Sequence, residues 1–145
     1  MSRLNAYPAE MTNTQPRQGN GTGLPPLICV VDDDESVRDA ISTLLRSVGL
    51  DCRTFESGQD FMRSGLGTSA DCLIVDLRMK GMSGLELQTS LAHAGSILPT
   101  IFISAHGDED AKARAAAGGA LGFLSKPFEE RELLDHVNSA LARRI

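Results

Sequence analysis

The chain has 145 residues, 41% of them hydrophobic and 23% charged, with a formal net charge of −5. That length is one domain's worth, and the balance excludes collagen-like, wholly disordered and coiled-coil chains. No apolar run approaches the roughly 18 residues of a membrane helix, Met1 to Gly23 holds no secretory apolar stretch, and the acidic balance argues against direct nucleic-acid binding.

The first 24 residues read as a flexible tail. Residues 12–23, TNTQPRQGNGTG, contain nothing aliphatic, aromatic or thiol-bearing, so burial cannot offset their ordering entropy. The GNGTG glycines precede the first strand, whereas a phosphate-binding loop follows one. Arg3, Glu10 and Arg17 give the tail a charge of +1, which leaves −6 for the domain expected over 25–145.

Five apolar runs follow, at Leu27–Val31, Cys52–Phe55, Cys72–Val75, Ile101–Ile103 and Leu121–Leu124. Their continuous hydrophobicity predicts strands covered on both faces. The segments between them have helical length. Val37, Ile41, Leu44, Leu45 and Val48 recur on one helical face, and Gly49 stands where a helix ends. Ser57 and Asp60 have capping-box spacing for a second helix. Gly84 to His93 is a third, with Leu87 and Leu91 inward. Asp108, Glu109 and Asp110 open a fourth, which Gly118-Gly119 ends. Glu129 to Arg144 is the fifth, with Leu133, Leu134, Val137 and Leu141 on one face. Such alternation implies right-handed crossovers and a parallel sheet, whose ligand site forms at the carboxyl ends of the strands. Cys29, Cys52 and Cys72 cannot all pair and have no zinc spacing, so they read as reduced, buried thiols of a cytoplasmic protein.

Four strand ends carry chemistry. Strand one runs into Asp32-Asp33-Asp34, strand three ends at Asp76, strand four at Ser104, and Lys126-Pro127 follows strand five. Each residue alone has a plain explanation: a helix cap for Asp34, turn residues for Asp76 and Ser104, a solvated charge for Lys126. Together on four strands they suggest more. Crowded carboxylates repel unless compensated, and an all-oxygen set suits Mg²⁺. A carboxylate beside Mg²⁺ and a lysine is equipped to accept a phosphoryl group, with a serine hydroxyl to bind a remaining oxygen. No glycine-rich loop follows a strand, and Gly81-Met82-Ser83-Gly84 is not a nucleophile elbow.

The motifs VVDDDESVR, LIVDLRMKGMSG, TIFISAHGD and GFLSKPFEE resemble, in order and spacing, the receiver domain of bacterial two-component response regulators, from about Leu27 to Leu141. DLRM, AHGD and KPFE are similar to its LuxR/nitrogen-fixation-type branch. The resemblance implies a flavodoxin-like α/β fold, a five-stranded parallel sheet of order 2-1-3-4-5 flanked by five helices. It implies Asp76 as phosphoacceptor from a sensor histidine kinase, an acidic pocket of Asp32 and Asp33, and Mg²⁺ held by that pocket, Asp76 and the backbone carbonyl of Arg78. Lys126 would pair with the phosphoryl oxygens, its bond to Pro127 being cis, and Ser104 and Phe123 match the switch hydroxyl and switch aromatic. The side chains of Arg78 and His106 would flank the path of the hydrolytic water. The surface of helix four, strand five and helix five would meet the output or a phosphorylation-dependent second copy. Such a protein catalyses only its own phosphorylation and dephosphorylation.

The chain departs from the family pattern in three places. Lys80 stands where proline is usual, which predicts a more mobile loop; Ser104 replaces threonine; and Gly118-Gly119 replaces Ala-Gly. The branch normally carries a C-terminal helix-turn-helix domain, and this chain stops at Ile145, about where a receiver ends. An alternative comes from Asp32-x-Asp34, which also fits the first motif of haloacid-dehalogenase-like phosphatases with Asp32 as nucleophile.

Overall fold

The computed structural model describes residues 23–105 and 107–143. The expected tail, apart from Gly23 and Leu24, and His106 lie outside them. Five strands, β1 (Leu27–Val31), β2 (Asp51–Phe55), β3 (Cys72–Asp76), β4 (Thr100–Ser104) and β5 (Gly122–Ser125), form one sheet of order β2-β1-β3-β4-β5. All pairings are parallel, as the alternation of elements requires. Helices α1 (Glu35–Ser47), α2 (Gly58–Ser64), α3 (Gly84–His93), α4 (Glu109–Ala117) and α5 (Glu130–Ala142) make the crossovers, and a 3₁₀ turn at Leu66–Thr68, unforeseen in the sequence, precedes β3.

The sheet divides the core in two. In β1, Ile28 and Val30 face one layer, with Ile41 and Leu45 of α1 and Leu133 and Val137 of α5. Leu27, Cys29 and Val31 face the other, with Phe61, Leu87, Leu91 and Ala115. Every residue of β1, β3 and β4 is buried, so these strands carry unbroken apolar runs without alternating, with Thr100 opening β4 and Asp76 and Ser104 at the carboxyl ends. Fully burying one such side chain is worth about 1.5–3 kcal/mol, and this repeated term makes the sheet the rigid base of the site.

Local signals set the helix ends. Asp34 caps α1 by accepting from the Ser36 amide, Ser57 caps α2 from the Asp60 amide, and Ser83 and Glu86 form a complete capping box on α3. Past α1, Gly49 adopts φ +87° and the Leu50 amide returns to the Leu45 carbonyl, a stop that favours glycine. Val48 corrects the expected apolar face: it falls on the C-cap, where the helix has already turned, and is 50% exposed.

Candidate functional site

β1, β3 and β5 bring three of the singled-out residues together at their carboxyl ends. Asp76, the last residue of β3, is 6% exposed. Its Oδ2 accepts from Lys126 Nζ at 2.8 Å across 50 residues of sequence, and its Oδ1 accepts from the Arg78 amide at 3.0 Å. Lys126 Nζ also lies 3.5 Å from Asp32 Oδ2, an ion pair without a hydrogen bond. Asp32 is fully buried; its Oδ1 accepts from the Asp34 amide and its carbonyl from Arg38 Nη1. The Lys126–Pro127 bond is cis. On the neighbouring strand, Ser104 is 1% exposed and its hydroxyl has no hydrogen-bond partner among the described residues.

The electrostatics follow from this crowding. Burial pushes the Asp32 carboxyl above its usual range, and the Asp76 charge adds to the rise against the pull of the Asp34 amide and Lys126. For Lys126 burial acts downward, but the hydrogen bond and charge of Asp76, with Asp32, outweigh it and hold the ammonium above its usual value. The site is thus a carboxylate cluster with one ammonium at its edge, short of positive charge. Carboxylate oxygens of Asp32, Asp33 and Asp76 lie within 4.8 Å of one another, an all-oxygen donor set that fits a hard divalent cation. The cluster, the unpartnered hydroxyl and the deficit of positive charge are together suited to an incoming phosphoryl oxygen and its metal.

The loop after β3 is held, not loose. The Lys80 amide donates to Asp33 Oδ2 at 3.1 Å, a bond that proline in its place could not make. At the end of that loop Gly84 packs directly on the acceptor's own backbone: a Cβ there would sit within contact distance of the Asp76 carbonyl oxygen and 3.0 Å from Leu77 Cα. The Gly84 amide donates to the Leu77 carbonyl at 3.1 Å.

Phe123, in β5, stacks on Phe102 at 6.0 Å, and Lys112 of α4 lies 5.8 Å over its ring. The Arg78 side chain is bonded to Asp108 at 2.6 Å. Sequence reasoning missed all three contacts. Arg78 had been placed on the water path and Asp108 on the helix dipole, and each explanation stood without the other.

The family model described as the response regulator receiver domain matches residues 28–138. The transcriptional regulatory protein TdiR of Thauera aromatica is 46% identical over 125 residues, 86% of this chain and 55% of TdiR. The structure of the response regulator StyR shares 43% identity at a TM-score of 0.78, covering 83% of this chain and 61% of StyR. Full-length FixJ from B. japonicum shares 34% identity at a TM-score of 0.78, over 83% and 60%. The chain spans about half the length of the curated relatives it matches.

Proposed function

The chain belongs to the response regulator receiver family of two-component systems, and from that premise we propose that Asp76 is the residue phosphorylated and that a sensor histidine kinase is the donor. The supporting observation is the Lys126–Asp76 contact at the carboxyl end of the central strand. An Asp76 oxygen attacks the phosphohistidine phosphorus; the P–O bond forms as the P–N bond breaks, and the imidazole leaves carrying the electron pair and takes up a proton. Lys126 neutralises a transferred oxygen, and the Ser104 hydroxyl donates to another. We assign Asp32, Asp33, Asp76 and the Arg78 backbone carbonyl as Mg²⁺ ligands; the ion supplies, when bound, the positive charge the cluster lacks. On this reading the chemistry is the protein's own phosphorylation and dephosphorylation.

The phosphatase alternative gains no support. Asp32 is wholly buried, whereas Asp76 keeps some exposure at the strand end. The family of the chain and the similarity to TdiR favour a transcriptional output, reached through the α4–β5–α5 surface by a partner, a further domain or a second copy. Cys29, Cys52 and Cys72 are buried thiols, which fits a cytoplasmic setting, and no helix among the described residues is long and apolar enough to cross a membrane.

The test is mass spectrometry after treatment with a small phosphodonor and Mg²⁺. One phosphoryl group per chain is expected, lost in Asp76→Asn. Stoichiometric labelling that persists at other residues in that variant would remove Asp76 from the role.

A further inference from the structure

We propose that Arg78 and Asp108 form a latch that holds the first turn of α4 in the resting protein, and that phosphorylation of Asp76 opens it. The proposal rests on the receiver reading above and adds the contact through which the site grips α4.

Arg78 Nε donates to Asp108 Oδ1 at 2.6 Å, joining the loop after β3 to the residue that begins α4, 30 positions away. Asp108 is at the N-cap, where an aspartate ordinarily accepts from the first-turn amides. Here it does not: its side chain makes no capping bond and its ψ of 39° is outside the extended region that the caps of α1, α2 and α3 adopt. Its second oxygen, Oδ2, is buried without a hydrogen-bond partner among the described residues, and the residue is 7% exposed. One desolvated carboxylate therefore has two competing sets of donors, the Arg78 guanidinium and the α4 amides, and the resting structure uses the first. Such a choice between discrete partners makes a two-state element.

The rest of α4 adds little restraint. Ala115 is its one buried residue, and the Ala115 carbonyl accepts from Gln88 Nε2 at the far end. Arg78 is also the residue that a phosphoryl group would disturb. Its amide is bonded to Asp76 Oδ1, while its side chain is 72% exposed. A phosphoryl group on Asp76 brings about −2 of charge and new acceptor oxygens to that spot, which compete with Asp108 for the guanidinium. Once released, Asp108 can cap α4, and the first turn moves with it.

Asp108→Asn tests the latch with little change of shape, because asparagine caps well but binds arginine weakly. Arg78→Gln cuts the same bond from the other side. The readout is the backbone amide shifts of residues 110–117, with and without beryllofluoride. In the untreated variants these amides should move toward the beryllofluoride-bound wild-type positions, corresponding to about a five- to tenfold change in the population ratio. Asp108→Asn should still accept phosphate on Asp76. Variant shifts that stay at the untreated wild-type positions, or leave the line between the two wild-type states, overturn the latch alone. A wild-type protein whose α4 ignores beryllofluoride and whose Asp76 takes no label overturns the receiver reading and the latch with it.

Discussion

Helices α1 and α4 follow β1 and β4 on opposite sides of the sheet and are built in opposite ways. α1 has 13 residues, a capping aspartate, a glycine stop and two large side chains, Ile41 and Leu45, seated in the core. α4 has nine residues, no capping side-chain bond and one buried alanine. A helix held by packing stays where the core puts it; one held by a few polar contacts stays only while those contacts do. The contrast separates the half of the molecule that supports the site from the half that can answer it.

The largest expected effect tests the fixed half. Leu45→Ala should lower unfolding stability by about 2–5 kcal/mol, because a fully buried leucine leaves a cavity. Ala115→Gly in α4 should cost only about 1–2 kcal/mol, the propensity difference plus one buried methyl. Urea denaturation of both variants decides it; equal losses would erase the distinction between the helices.

A smaller effect is expected where β1 hands over to α1. Since folding raises the Asp32 carboxyl above its usual range, the folded state binds that proton more tightly. The stability it contributes is complete below the ordinary carboxylate range and is lost as pH rises through the raised value, so the ionised group burdens the fold at neutral pH. Asp32→Asn should raise stability at pH 7 by on the order of 1 kcal/mol and flatten the decline above about pH 4. Lys126, also raised, contributes below about pH 10.4 and loses that contribution as pH climbs through its folded value. Melting temperature against pH measures both. A less stable Asp32→Asn protein at pH 7 would mean that Lys126 needs Asp32 more than burial penalises it.

The smallest concerns a contact between α4 and β5. Lys112→Ala removes the ammonium from the Phe123 ring and should cost about 0.5–1 kcal/mol while moving the ring-proton shifts of Phe123. Ring shifts unchanged in the variant would show that α4 does not grip β5 through this pair.

The fixed half was the legible half. Unbroken apolar runs gave β1 and β3, helical spacing gave Ile41 and Leu45, and Asp34, Ser57 and Gly49 announced helix ends, because each signal is local. The gathering of Asp32, Asp76 and Lys126 was legible because parallel topology sends all carboxyl ends one way. The contacts around α4 were not. Arg78 and Asp108 are 30 residues apart, and each had a sufficient local explanation. Lys80 read as a loosening of its loop, whereas its amide, available only because the residue is not proline, ties that loop to Asp33. Backbone donors have no signature in side-chain chemistry, so sequence alone undervalued this one.

Gly84 sets how closely α3 can approach the acceptor strand. With no side chain between them, the first turn of α3 rests on the carbonyl of Asp76 and is bonded to Leu77. The acceptor strand and α3 therefore meet backbone to backbone at this point. Beside the acceptor strand in the sheet runs β4, whose Ser104 hydroxyl has no hydrogen-bond partner among the described residues. A side chain at position 84 would push α3 away from the acceptor's own backbone.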